Sequence, residues 1–186
     1  ALFAGYRACL RCHPLQVKPT PPPFIKELVQ AIEDAPAEKL RDRDLRAKGL
    51  DPSTVRRQFQ KHYGMTFHAY QRARRMGLAL YEVRNGEKVI SAQLNQGYES
   101  ASGFWESFKK IFGQAPSQAE QINCLFAKWI DTPLGAMLAL ANEQGLYLLE
   151  FVDRKGLENE ILFIRKRSKC AIVPGNNAIL EQITAE

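Results

Sequence analysis

The sequence predicts an all-α domain with a duplicated helix-turn-helix pattern, followed by a smaller α+β piece. A glycine turn and then an amphipathic helix occur twice, 49 residues apart. The matching pairs are Val55 with Phe104, Phe59 with Phe108, Lys61 with Lys110, and Gly64 with Gly113. Past Pro116 the pattern changes: two apolar segments flank Asn142-Glu-Gln-Gly145, which indicates a β-hairpin. The fold class is therefore α followed by α+β.

The helices of the first domain are expected in order along residues 24–118. Residues 24–32 carry apolar side chains at i, i+3, i+4 and i+7, the spacing of an amphipathic helix. Short helices over 40–48 and 88–96 precede the two glycine turns. The signals Asp51-Pro-Ser53 and Glu99-Ser100 then begin the longer helices, which Gly64 and Gly113 end. A single connecting helix over 67–84 joins the two units.

The remaining segments complete the predicted organisation. Residues 18–23 form a Pro-rich linker after a short cysteine-containing piece at 1–17. In the second piece, 119–186, we expect a helix over 157–167, a strand over 170–173 and a helix that begins at 178. The sequence begins at Ala1 without an initiator Met, so we expect a fragment of a longer protein.

Positive charge is concentrated in the first domain. Residues 1–118 hold 19 basic and 11 acidic side chains, whereas residues 119–186 hold 7 and 9. No acidic residue lies between Asp51 and Glu82, while six basic residues do: Arg56, Arg57, Lys61, Arg72, Arg74 and Arg75. A solvated helix face usually mixes both signs, so this field favours a nucleic-acid partner.

The cysteines and the apolar segments indicate the cellular environment of the protein. Of the four cysteines, Cys9 and Cys12 form a Cys-x-x-Cys pair and the other two are isolated. This is not a disulfide framework, so we expect a cytoplasmic protein. No apolar run reaches the roughly 18 residues that span a bilayer, so no membrane partner is expected.

The repeat resembles the signature of AraC-type DNA-binding domains. The residues that carry the resemblance are Gly97-Tyr98-Glu-Ser-Ala-Ser-Gly-Phe104-Trp-Glu-Ser-Phe108-Lys109-Lys-Ile-Phe-Gly113-Gln-Ala-Pro116, with Arg75-Met76 and Ala79-Leu80 in the connecting helix. The resemblance covers about 24–118. Gln93 departs from it, because that family usually has a small alanine where the two helices cross. The resemblance implies sequence-specific binding to double-stranded DNA and activation of transcription, with RNA polymerase as a partner.

Both flanks resemble parts of Ada-type adaptive-response proteins, which are transcriptional activators and methylated-DNA–protein-cysteine methyltransferases. Residues 4–12, Ala-Gly-Tyr-Arg-Ala-Cys-Leu-Arg-Cys, are similar to the end of that family's zinc-binding methyl-acceptor domain. Asp131-Thr-Pro-Leu-Gly135 and the hairpin resemble the ribonuclease-H-like half of the methyltransferase domain. This resemblance implies a role in the response to DNA alkylation and in DNA repair.

The resemblance makes Cys9 and Cys12 the second pair of zinc ligands. Two thiolates supply half of a tetrahedral all-cysteine shell, so we expect zinc in the parent protein, and absent or partial binding in this chain. The Pro-Cys-His-Arg acceptor motif of the methyltransferase does not occur here. Whether the chain acts as an enzyme therefore stays open, and no catalytic residue is assigned.

The outward faces of the two longer helices are the candidate DNA-binding surfaces. Arg57 and Gln60 can reach base edges, whereas Arg56 and Lys61 suit phosphates. Lys109 and Lys110 are expected on the DNA backbone. The full set of candidate DNA-binding residues is Ser53, Thr54, Arg56, Arg57, Gln60, Lys61, Ser100, Ser102, Glu106, Lys109 and Lys110. The two units would enter successive major grooves about 34 Å apart.

Two other functions fit the same sequence. One is a DNA alkyltransferase whose helical domain only positions it on DNA. The other is an AraC-type regulator with an unrelated C-terminal domain. The acceptor motifs of the parent protein would discriminate between these functions and the first.

Overall fold

The computed structural model describes residues 22–185. The predicted zinc ligands Cys9 and Cys12 and most of the predicted linker lie outside the described residues. The helices are α1 Pro23–Asp34, α2 Asp42–Ala47, α3 Pro52–Tyr63, α4 Phe67–Arg84, α5 Val89–Asn95, α6 Ala101–Phe112, α7 Leu157–Ser168 and α8 Ala178–Ala185. The strands are β1 Cys124–Thr132, β2 Gly135–Asn142, β3 Gly145–Phe151 and β4 Ala171–Pro174, and a short 3-10 helix spans Pro116–Gln121. Among the described helices, none combines the length and the apolar character needed to cross a membrane.

The predicted order, helices first and then a small mixed sheet with helices, is confirmed. The connecting helix α4 has the predicted bounds, and α3 and α6 begin and end within one residue of their cap signals. Two elements were not predicted: the 3-10 helix Pro116–Gln121 and strand β1. Strand β1 escaped prediction because its sequence does not alternate: four apolar residues, Cys124 to Ala127, are consecutive, and a second apolar pair, Trp129-Ile130, follows Lys128.

The sheet has the strand order β3-β2-β1-β4. Strand β1 pairs antiparallel with β2, with Trp129 opposite Leu138, and parallel with β4, with Cys124 opposite Ala171. Strands β2 and β3 form the predicted hairpin. A parallel neighbour requires a crossover, and α7 supplies it between β3 and β4.

The apolar core is continuous between the helical domain and the sheet. One cluster joins α1, α2, α3 and the first half of α4, around Phe59 and Phe67. A second cluster includes Met76 of α4, Phe104 and Phe108 of α6, and Phe126 and Val173 of the sheet. The connecting helix α4 thus contributes to both clusters, the first half of the helix to one and the second half to the other.

Gly77 marks the place where α4 meets strand β4. A Cβ at this position would lie 3.0 Å from Cγ2 of Val173, closer than side chains normally approach. At the end of the same helix, Arg84 donates hydrogen bonds to the carbonyl oxygens of Ala119, at 3.1 Å, and Ile122. These contacts fix the sheet against the helix that joins the two units.

Candidate nucleic-acid interface

Helix α3 begins at a strong cap. Asp51 accepts a hydrogen bond from the backbone N–H of Thr54 at 2.8 Å and another from the hydroxyl of Ser53 at 2.5 Å. These bonds, the one from Ser53 above all, lower the pKa of the Asp51 carboxyl to about 2. Pro52 occupies the first helical position, where no N–H is needed. Ser53 and Thr54 therefore hold the start of the helix as well as lying on its outward side.

The two faces of α3 separate core residues from polar ones. Val55 and Phe59 are buried, with exposed fractions of 1% and 0%. The exposed side chains are Ser53, Arg56, Arg57, Gln60 and Lys61. Within residues 22–185 no hydrogen bond or ion pair ties down Arg56, Arg57 or Lys61, whereas Gln60 donates from Nε2 to the carbonyl oxygen of Gly64 at 2.9 Å. To contact a base, the Gln60 side chain must first break its hydrogen bond to the Gly64 carbonyl.

Helix α6 repeats the construction of α3. Ser100 accepts the N–H of Gly103 at 3.3 Å, and Gly113 ends the helix with φ 74°, matching Gly64 with φ 68°. Phe104 and Phe108 are buried where Val55 and Phe59 lie in α3. The exposed side chains on the outward face include Ser100, Ser102, Glu106, Lys109 and Lys110. The 49-residue repeat is therefore a structural repeat, with the same caps and the same buried positions.

The turn between α5 and α6 depends on Gln93. This side chain is buried, and its Nε2 donates to the carbonyl oxygen of Tyr98 at 3.1 Å, while the backbone N–H of Tyr98 donates to the carbonyl of Gln93. Gly97 stands between them at φ 67°, and a Cβ there would lie 2.6 Å from the carbonyl oxygen of Ala37. The departure at Gln93 thus supplies a buried hydrogen bond that holds this turn.

The basic field predicted between Asp51 and Glu82 is divided by the tertiary structure. Arg74 forms a bidentate pair with Glu33 of α1, with N···O distances of 2.7–2.9 Å. Arg75 is buried at 5% exposure. Arg56, Arg57 and Lys61 are exposed on α3, whereas Arg72 is half-buried, so the first three carry the part of the field that is open to solvent.

A groove that the sequence did not indicate lies between the two units. It has a volume of about 600 Å³ and is bounded by the segment before α2, by α4 and by the face of α6 that includes Gly103, Glu106 and Lys110. Its cationic lining comes from Lys39, Arg41, Arg72, Arg75 and Lys110. Lys39 and Tyr98 come together here although they are 59 residues apart in the sequence, which is why spacing along the chain gave no signal.

No metal centre is found in the part of the chain that the structure describes. Within residues 22–185 no group of three or more His, Cys, Asp or Glu side chains could hold a metal ion. Cys124 and Cys170 are both buried free thiols. Burial raises the pKa of the Cys124 thiol to about 12. A thiol in this state does not provide the thiolate that a metal or an alkyl group requires.

Residues 45–121 match the family model described as a helix-turn-helix domain. This segment is thus similar to helix-turn-helix domains. The match begins in α2 and ends with the 3-10 helix, so it includes both units and the connecting helix. The match and the structural repeat agree with the helix-turn-helix pattern predicted from the sequence. Helix-turn-helix domains commonly bind double-stranded DNA.

One curated relative is the bifunctional transcriptional activator/DNA repair enzyme Ada of Escherichia coli (strain K12). It is 26% identical in an alignment of 155 residues, and the match covers 78% of this chain and 42% of the relative. The chain thus spans less than half the length of that protein.

Three solved structures are also similar. A protein of unknown function from Listeria innocua is 22% identical, over 54% of this chain and 97% of that chain, with a TM-score of 0.48. A DNA-binding transcriptional dual regulator from Escherichia coli K-12 is 19% identical, over 54% and 98%, with a TM-score of 0.44. The xylose-binding transcription activator xylR is 19% identical, over 59% and 29%, with a TM-score of 0.45.

Proposed function

We propose that this chain is the DNA-reading part of a transcriptional activator that responds to DNA alkylation. The observation that carries the proposal is the matched pair of helices, α3 and α6. Each has a capped start, a glycine end, two buried apolar residues one turn apart and an exposed polar face. Two such helices suit two successive major grooves on one side of a duplex.

The two helices divide the work of recognition. The exposed face of α3 offers Arg57 and Gln60, side chains that can make bidentate contacts to guanine and adenine. The corresponding face of α6 offers Ser102 and Glu106, with Lys109 and Lys110 near its end. Small and acidic groups discriminate less among purines, so α3 reads more of the sequence and α6 contributes more of the positioning. Glu106 faces DNA favourably only where it accepts a hydrogen bond from a cytosine amine.

The link to alkylation rests on the flanks and on one relative. The relative from Escherichia coli is a transcriptional activator and a DNA repair enzyme by name, and the similarity extends over 78% of this chain. The strand order β3-β2-β1-β4, with β1 parallel to β4, supports assigning residues 119–186 to a ribonuclease-H-like half of a methyltransferase domain. In this proposal RNA polymerase is the partner of the DNA-bound protein.

Zinc belongs to the same proposal. Cys9 and Cys12 would hold it in the parent protein, together with a second pair of cysteines. If a cysteine thiolate of that site took a methyl group from a DNA phosphotriester, the methyl–oxygen bond would break, a phosphodiester would leave and the thiolate would become a neutral thioether. The loss of the thiolate charge near phosphate would favour DNA binding. The zinc content of the purified parent, with a Cys12→Ser variant as control, tests this part.

The first experiment selects duplexes from a random library with the purified chain and maps protection by footprinting. We expect two protected half-sites one helical turn apart. A selected site that binds no better than its scrambled version would refute sequence-specific reading. Transcripts from genes beside the selected sites are then measured with and without a methylating agent, in cells that have the gene for this protein and in cells that lack it. If the methylating agent raises these transcripts equally in both kinds of cell, the alkylation response is refuted.

A further inference from the structure

The groove between the two units contains a charged side chain with unused donors. Arg75 of α4 is 5% exposed, and its Nε and Nη1 are buried without a hydrogen-bond partner among the described residues. Its guanidinium lies over the ring of Tyr98, 5.0 Å from the centroid. Buried donors on a charged group are costly to leave unpaired, so an acceptor absent from the structure would be strongly favoured here.

A second cation shares the same ring. Nζ of Lys39 lies 4.7 Å from the centroid of Tyr98. Burial and then the charge of Arg75 lower the pKa of Lys39, and Glu99 acts in the opposite direction. Two cations held against one aromatic side chain repel each other, and an anion between them would relieve that repulsion.

The whole lining favours an anion. Five cationic side chains line the groove, against the two carboxylates Glu99 and Glu106, so the balance is +3. His68 is also present, hydrogen-bonded through Nε2 to Asp42 at 2.7 Å. The groove also contains Ser100 and Gly103 at the start of the 12-residue helix α6. The N–H of Gly103 already donates to the Ser100 hydroxyl, so this helix end contributes the positive end of its dipole, which favours an anion.

We propose that this groove binds one backbone phosphate of the DNA that lies between the two recognition helices. Glu106, Lys110 and Ser100 belong both to the outward face of α6 and to the groove, so the two surfaces are continuous. The groove also borders the segment before α2 of the first unit. A duplex that follows α6 and α3 in successive grooves would pass its backbone across this place. The inference rests on the proposed function and adds a specific phosphate clamp to it.

The first test changes Lys39, which is exposed and can be replaced without opening the core. The chain and its Lys39→Gln variant are titrated with a random duplex of about 30 base pairs, long enough for two successive grooves, at a series of salt concentrations. Loss of one phosphate contact should reduce the log–log salt slope by about 0.9. Lys166→Gln on α7, outside the groove, is the matched control and should leave the slope unchanged.

The outcomes separate the two proposals. If the unchanged chain binds the duplex and Lys39→Gln has the same slope, the phosphate clamp is refuted while DNA binding stands. If the unchanged chain binds no duplex at all, the proposed function fails, and the clamp fails with it.

The second test observes Arg75 directly. The Nε–H resonance of Arg75, in a chain labelled with ¹⁵N at arginine, is followed during additions of the duplex or of inorganic phosphate. We expect a saturable shift with the duplex that is weakened in Lys39→Gln, and a weaker response to inorganic phosphate. A saturable shift with inorganic phosphate and none with the duplex would mean a site for a free phosphate, and would overturn the assignment to DNA.

Discussion

Trp129 of the sheet contacts Tyr63 at the end of helix α3, with ring centroids 4.6 Å apart and planes at 66°. The ring centroid of Trp129 also lies 5.9 Å from the ring centroid of Tyr70 in the connecting helix. Burial, with a smaller contribution from the Asp131 charge, raises the pKa of Tyr63 to about 12. The first helix-turn-helix unit is therefore joined to the α+β piece by an aromatic cluster.

Trp129→Ala should lower the free energy of unfolding by about 2–4 kcal/mol, because it removes two aromatic contacts and leaves a gap between the sheet and α3. Urea denaturation followed by circular dichroism measures this. Tyr81→Ala is the control, since Tyr81 is 61% exposed on α4, and it should change stability by about 0.5 kcal/mol or less. Equal losses for both variants would mean that the cluster does not join the two parts.

Phe59→Ala and Phe108→Ala should each cost about 3–5 kcal/mol, as expected when an aromatic side chain is removed from a packed core. Both residues are 0% exposed and occupy equivalent places in the two units. The measurement is the shift of the thermal unfolding midpoint for each variant. A shift as small as that of a surface replacement would show that the affected unit is not packed as described.

Duplex binding should weaken steeply with salt, with a log–log slope of about −4 to −5 if about five phosphates are neutralised. The exposed cations of α3 and α6, among them Arg56, Lys61, Lys109 and Lys110, account for most of these contacts. Arg74 is not counted, because Glu33 already pairs with it. Titrations of a fluorescent duplex between low and physiological salt give the slope, and a flat dependence would contradict binding through phosphates.

Arg57→Ala should cost about 1–3 kcal/mol on the selected site and much less on a scrambled duplex, because a bidentate contact to a base carries sequence information. Lys110→Ala should weaken binding to both duplexes by similar factors, because a phosphate contact carries none. Parallel titrations at one salt concentration compare the two variants. If Arg57→Ala lowers the affinity for both duplexes equally, Arg57 contacts only the DNA backbone, and α3 does not supply most of the base-specific contacts.

The chain should accept no methyl group at Cys124 or Cys170 from O6-methylguanine DNA. Both thiols are buried, and the pKa of Cys124, raised to about 12 by desolvation, keeps it protonated at neutral pH. The chain is incubated with the methylated duplex, and peptide mass spectrometry then measures the methyl content of each cysteine. The unfolded chain treated with a thiol reagent is the positive control, because both cysteines should then be modified. A methyl group on either residue of the folded chain would refute it.

The sequence by itself determined the helical domain and its duplication. The cap at Asp51, the glycines at 64 and 113 and the paired buried positions are local or periodic signals, because helix ends and amphipathic faces depend on neighbours within one turn. The same spacing fixed which residues of α3 face outward. Strand β1 was missed, since a short apolar run takes its conformation from the strands beside it.

Which basic side chains of the first domain are exposed, and which residues line the groove between the two units, depends on the tertiary structure. Arg74 and Arg75 are neighbours in the sequence, yet one pairs with Glu33 of a distant helix and the other is buried against Tyr98. Lys39, Arg75 and Tyr98 meet because the chain folds back around α4. Charge availability and groove shape depend on contacts between residues far apart in the sequence, and no local pattern encodes them.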